Sequence, residues 1–199
     1  MIKKNSAIGS MVIVALLLGA AGAAAQRKPK DLPQKYRDWI EKEVVYIISD
    51  EERQLFLRLG TDADREKFIE QFWLARDPTP GTPANEFKDE HYQRIEYANQ
   101  HFSNEWASDG WRTDRGKVWI ILGRPQSRQF HTSGGQIYPI ELWFYASREP
   151  SLPPFFYIMF YQKYGASDYR LYSPYLDGPD KLVRAAGVEN SRVNGYRFL

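Results

Sequence analysis

Two aspartates stand beside arginines at the ends of candidate elements: Asp77 in Arg76-Asp77, ahead of Pro78-Thr79-Pro80-Gly81-Thr82-Pro83, and Asp114 in Asp114-Arg115, behind Gly110-Trp111-Arg112-Thr113. If the two loops converge at one end of a sheet, the carboxylates supply acid/base or ligand groups and Arg76, Arg94 and Arg115 act as anion clamps. That is the chemistry of a hydrolase or lyase using Asp77 and Asp114. The same residue types also fasten loops. An arginine at a helix C-terminus bonds loose carbonyls, Asp77 caps a proline turn, and Asp114 receives the amides of Arg115 and Gly116 in an Asx-turn. Both readings stand at the level of residue types.

The remaining constellations carry less chemistry. Glu86 and Glu90 share one helical face with His91 beside them, an arrangement hard cations tolerate. Lys88 and Arg94 flank them, so a solvated, salt-bridged face is expected and no metal site. His91 lies on an apolar stripe and reads as a hydrogen-bonded core histidine. His101 and His131 have no acidic or histidine neighbours at ligand spacing. No G-x-S-x-G elbow or readable Ser, His and Asp order is present. Ser133-Gly134-Gly135 sits between strands with no helix after it, so it reads as a long hairpin loop and no cofactor is expected. Trp106, Trp111, Tyr138 and Trp143 permit a third reading, a platform for sugar rings, although Trp143 also suits the interior and Trp111 suits a pin holding its loop to the sheet.

These residues are delivered by an exported chain. Lys3 and Lys4, the apolar run Met11 to Leu18 and Ala23-Ala24-Ala25 form the n-region, core and cleavage pattern of a signal peptide, with the cut expected after Ala25. The uncharged run Ile8 to Ala25 is rich in Gly and Ala and is marginal for spanning hydrocarbon, so no stable transmembrane segment is expected after cleavage. The whole chain has 27 Lys+Arg against 25 Asp+Glu, and the leader removes two of the former. The mature chain is therefore formally neutral, which argues against nucleic acid as a partner. It contains no cysteine, which excludes a disulfide framework, a thiolate nucleophile and a zinc-thiolate site. Stability must come from the core alone, and about 174 mature residues suffice for one.

Helical patterning runs from Leu32 to about Phe102. Ser49 and Thr61 each precede an acid by three residues, as capping-box starts do, so two short helices begin there. The second stops at the prolines after Asp77. Thr82 as N-cap with Pro83 at the first position opens a long helix to Phe102, burying Phe87, His91, Ile95, Ala98 and Phe102. Beyond Gly116 the segments Val118 to Leu122, Ile140 to Tyr145, Phe155 to Gln162 and Tyr169 to Tyr172 are short and rich in β-branched and aromatic residues, the pattern of four antiparallel strands. Phe155 to Tyr161 lacks polar alternation, so it is expected to be covered on both faces.

The fold class is therefore α+β, with N-terminal helices packed on one face of a small antiparallel sheet of about four strands. The organisation reads as leader 1–25, N-terminal extension 26–48, a domain at 49–175 (helical layer 49–105, sheet 116–173) and a weakly ordered tail at 176–199 that holds at most one short helix near 181–186.

Phe72-Trp73-Leu74-Ala75-Arg76-Asp77-Pro78-Thr79-Pro80-Gly81-Thr82, Asn85-Glu86, Arg94-Ile95-Glu96-Tyr97-Ala98-Asn99, Gly110-Trp111-Arg112-Thr113-Asp114-Arg115-Gly116, Leu122-Gly123-Arg124-Pro125 and Trp143-Phe144-Tyr145 together resemble the GWxTD domain, whose name is the motif at Gly110 to Asp114. The likeness covers roughly Glu51 to Tyr172. It implies an exported protein, periplasmic or secreted, of a family found mostly in Acidobacteria and related bacteria, and it implies no particular reaction. With no catalytic constellation beyond Asp77 and Asp114, the expectation is a non-catalytic interaction module. It would present the proline-rich loop and the motif loop to a protein or cell-envelope partner.

Overall fold

The computed structural model describes residues 28–104, 108–132, 137–148, 150–162, 168–178 and 182. The expected leader, Trp106, the Ser133 loop and most of the C-terminal tail lie outside the described residues. The fold class is α+β, with the helices ahead of the strands. The chain forms two compact units, one ending at Gln93 and one beginning at Arg94.

The first unit is helical. α1 (Gln34–Asp38) runs into a π-helical turn at Trp39–Glu43, followed by α2 (Asp50–Arg58) and α3 (Asp62–Leu74). α4 (Glu86–Phe102) begins in this unit. Both expected caps form: Glu52 N donates to Ser49 Oγ while Ser49 N donates to Glu52 Oε2, and Asp64 N donates to Thr61 Oγ1. The apolar faces meet in an aromatic core. Trp39 lies 4.8 Å from Phe56 and 5.2 Å from Phe72, centroid to centroid, and Phe56 lies 5.3 Å from Phe68. Leu32, Tyr36, Ile40 and Val44 complete this core, so residues ahead of Ser49 supply much of its apolar surface.

α4 starts three residues later than its proline suggested. Lys88 N donates to Asn85 Oδ1 at 2.9 Å, so Asn85, not Thr82, is the N-cap. Asn85 does two jobs, because its Nδ2 also donates to Trp73 O at the end of α3, 2.7 Å away. Thr82 instead belongs to the turn, where its amide donates to Thr79 O beside the left-handed Gly81. The expected stripe holds: His91, Ala98 and Phe102 are buried, and Phe87 and Ile95 are half-buried.

In the second unit the segment read as the first strand is a helix, α5 (Asp114–Leu122). Five apolar residues fit a buried strand or a buried helix equally well, and periodicity over so short a run does not separate them. The ends decide it. Thr113 accepts the amide of Gly116 as an N-cap, and Gly123 leaves the helix with φ +76°. The sheet begins instead at β1 (Ser127–His131), a mostly exposed edge strand without apolar alternation, and continues through β2 (Ile140–Ala146), β3 (Phe155–Tyr161) and β4 (Arg170–Leu171). These pair antiparallel in the order β1-β2-β3-β4.

β2 alternates cleanly, sending Glu141, Trp143 and Tyr145 inward. Trp143 is fully buried, 4.8 Å from Phe160, 5.7 Å from Phe102 of α4 and 5.8 Å from Trp119 of α5. The end of α4 and α5 thus cover one face of the sheet. Among the described residues the other face is covered only in part. Leu182 packs with Tyr161 and Tyr172 there, whereas Phe155 and Tyr157 are 68% and 61% exposed, against the expectation that β3 is enclosed on both sides.

The reassigned start of α4 has a thermodynamic signature. Asn85→Ala is expected to cost about 1 to 2 kcal/mol, the upper range for a lost helix cap. Thr82→Ala should stay within about 0.5 kcal/mol, as surface changes do. Urea denaturation of the two variants checks the order, and a larger loss at Thr82 would restore the earlier start.

Candidate functional site

Arg76 leaves the C-terminal turn of α3 and reaches a buried acid rather than solvent. Its Nη2 donates to Glu52 Oε2 at 2.7 Å and Oε1 at 3.0 Å, its Nη1 donates to Phe72 O, and its guanidinium lies 3.6 Å from the centre of the Phe72 ring. A guanidinium so enclosed holds α2 to the end of α3 and is no clamp for an incoming anion. Asp77 Oδ1 accepts the Thr79 amide at 2.9 Å, the proline-turn cap anticipated for it. Asp77 also stands on the rim of an open groove of about 350 Å³, shared with Glu66, Glu70, Trp73, Leu74 and Pro83. His91 is the expected core histidine. Its Nε2 lies 2.6 Å from Glu43 O, and since a carbonyl only accepts, that nitrogen carries the proton. Glu86 is exposed on the first turn of α4.

The motif residues of the second unit form a backbone corner. A Cβ on Gly110 would sit 2.0 Å from Ala98 O of α4, and one on Gly116 would sit 2.0 Å from Gly110 O. Only glycine lets these chain segments touch. Thr113, buried between them, donates its hydroxyl to Gly110 O at 2.8 Å and accepts Gly116 N at 3.0 Å. Asn99 Oδ1 accepts Trp111 N from the turn Gly110–Arg112, whose indole is buried. Asp114 takes a role its neighbours did not advertise. The amide of Gly116 goes to Thr113, and Asp114 Oδ2 accepts Leu171 N of β4 at 2.8 Å, tying the last strand to the start of α5.

Arg94 and Arg115 are likewise committed. Arg94 Nη1 donates to Ile120 O and lies 3.5 Å from Ile121 O, serving the last carbonyls of α5, and its guanidinium occupies the space a side chain at Gly123 would need. Arg115 Nη1 donates to Glu141 Oε2 and its Nη2 to Asp168 Oδ1, both at 3.2 Å. Glu141 has no exposed surface. Its Oε1 accepts Arg128 Nε at 2.7 Å and Trp143 Nε1 at 2.6 Å. Burial pushes the Asp168 carboxyl above the ordinary aspartate range, opposed by Arg115 and by the Tyr169 amide, which donates to it at 2.8 Å. Glu141, Arg128 and Asp168 were not among the residues singled out from sequence. Strand alternation held a clue for Glu141, which falls on the same face as Trp143 and Tyr145.

Asp77 and Asp114 thus lie in different compact units, and each is bonded within its own. The sugar-platform reading loses Trp143, fully buried, and Trp111, which shows 9% of its surface.

The corner makes a steep prediction. Gly110→Ala and Gly116→Ala each force a methyl group onto a carbonyl oxygen and should lose about 3 kcal/mol or more, the upper end of overpacking costs. Gly60→Ala, with nothing within 4 Å of the new carbon, should change stability by under about 1 kcal/mol. Thermal melts of the three variants test this, and a Gly110→Ala protein that melts like the wild type would refute the contact.

Comparison with known proteins leads to the same motif. Neither the curated proteins nor the solved structures contain a match to this chain. A family model described as the GWxTD domain matches residues 20–174, taking in the helices, the Gly110 to Asp114 corner and all four strands, so the chain belongs to the GWxTD domain family.

Proposed function

We propose that the protein is a non-catalytic interaction module, exported to the periplasm or beyond, that binds a protein or cell-envelope partner. One observation carries the reading: the polar groups of the signature are spent on the fold. Thr113 and Asp114 bond backbone amides and a backbone carbonyl, Asn99 holds the motif turn, and Arg76, Arg94 and Arg115 fill buried acids and helix ends. A nucleophile or general base must stand with a partner group around a shared cavity, whereas Asp77 and Asp114 are each bonded within their own unit. Large side chains meanwhile face outward, with Phe155 and Tyr157 on the open face of the sheet and Leu74 52% exposed beside the groove. Such exposed apolar groups suit partner binding. The motif loop itself is a fastener in this reading, and the surfaces around it meet the partner.

The competing enzyme reading requires the carboxylates of Asp77 and Asp114. Asp114→Asn keeps an oxygen acceptor for Leu171 N and leaves the groove at the end of α3 untouched, so it should lose under about 1 kcal/mol, whereas Asp114→Ala should lose about 1 to 3 kcal/mol. In a strain lacking the protein, Asp114→Asn is expected to restore function. An Asp114→Asn protein that melts normally and restores nothing would overturn the non-catalytic reading.

Export rests on the n-region Lys3-Lys4, the apolar run and Ala23-Ala24-Ala25. Among the described residues no helix is long and apolar enough to cross a membrane. N-terminal sequencing of the protein recovered from its producing cells should begin at Gln26. Recovery of an intact Met1 would overturn cleavage.

A further inference from the structure

We infer that the groove bounded by α3, the proline turn and the start of α4 docks a short extended segment of a partner protein that carries alternating basic and apolar side chains, an inference that rests on the interaction-module reading. The groove has an open volume of about 350 Å³ and lies entirely within the first unit. Its apolar lining comes from Ile69, Trp73, Leu74 and Pro83. Leu74 is left half in water at the end of a helix whose other large apolar residues are packed, so this end of α3 has unspent apolar surface.

Charge selects the occupant. Three carboxylates, Glu66, Glu70 and Asp77, face one ammonium, Lys88, which lies 5.8 Å from the centre of the Trp73 ring. Glu66 is already bonded to Tyr36 and Lys35, and Asp77 has spent one oxygen on Thr79 N. Glu70 is exposed and makes no hydrogen bond or ion pair among the described residues. An anionic partner would meet this excess of negative charge, whereas a lysine or arginine beside Glu70 and Asp77 relieves it.

Length selects a peptide over a small cation. From Glu66 to Leu74 the helix rises about 12 Å, the span of about four residues of extended chain. Side chains of an extended segment alternate, so one set reaches the acids while the other rests on Leu74, Trp73 and Pro83. The floor is well anchored, because the side chain of Asn85 bonds both Trp73 O and Lys88 N.

Titration of the ¹⁵N-labelled protein with acetyl-RLRL-amide, followed by NMR, tests the site. Shifts should be confined to the amides of residues 66–77 and to those of Thr82, Ala84, Asn85 and Lys88. Acetyl-ELEL-amide, acetyl-RGRG-amide and arginine amide should each bind at least tenfold more weakly. Glu70→Lys should weaken acetyl-RLRL-amide at least tenfold without moving the melting temperature. Equal binding of the acidic peptide or of arginine amide, indifference to Glu70→Lys, or no shift at all would overturn the groove. Shifts centred on Phe155 and Tyr157 would also overturn it while leaving the interaction-module reading intact, since that reading falls only on Asp114→Asn.

Discussion

Two stretches of backbone meet in the second unit with no side chain between them, and much of that unit's order follows from this approach. Gly110 rests on Ala98 O of α4, and Gly116 of α5 rests on Gly110 O, at separations that leave no room for a methyl group. Glycine pays in chain entropy for that closeness, so the turn needs further restraint. Thr113 supplies it by bridging Gly110 O and Gly116 N, and Asn99 by holding the amide of Trp111. Asp114 then collects Leu171 N from the last strand. Seven consecutive residues, Gly110 to Gly116, and one asparagine thereby join the end of α4, a turn, α5 and β4. The motif that names the family is, in this chain, the chemistry of a joint.

Each unit also contains a buried acid met by arginine. Glu52 receives Arg76 in the first, and Glu141 receives Arg115 and Arg128 in the second. Such pairs contribute little net stability, since desolvating both charges offsets most of their attraction, yet breaking one leaves an uncompensated charge in the interior. Their effect is on specificity. Arg76 Nη2 donates to both oxygens of Glu52, and Glu141 is held from three directions by two arginines and the Trp143 indole, which fixes how β2 sits among its neighbours. Charged residues that look available for substrate in a linear reading are occupied once the chain has folded.

Exposed apolar side chains remain in both units. Where α3 ends at the proline turn, Leu74 stays half in water beside Glu70 and Asp77, and on the open face of the sheet Phe155 and Tyr157 lie outside the part reached by Leu182. In this chain glycine, threonine and arginine hold the shape of the joint, and these exposed side chains take no part in it.

Much of the helical half was legible in the residues. Ser49 and Thr61 cap helices because a hydroxyl three residues before an amide needs only local geometry, and the prolines after Asp77 end α3 for reasons internal to their rings. Strands β2 and β3 were legible from their aromatic and β-branched runs, and His91 from its place on an apolar stripe. Val118 to Leu122 was not, because its composition suits either element and the deciding contacts, Thr113 to Gly116 and Arg94 to Ile120 O, involve the turn before it and a helix 26 residues earlier. β1 was hidden by its polar composition, which an edge strand paired on one side can tolerate. By itself the sequence determined the caps at Ser49 and Thr61, the break after Asp77 and the motif of the family, since these depend on neighbours in the chain. Only the tertiary structure decided what these polar groups do, because Asp114 meets Leu171 N, Arg76 meets Glu52, Arg94 meets Ile120 O and Arg115 meets Glu141, partners 24 to 57 positions away that no neighbour in the chain announces.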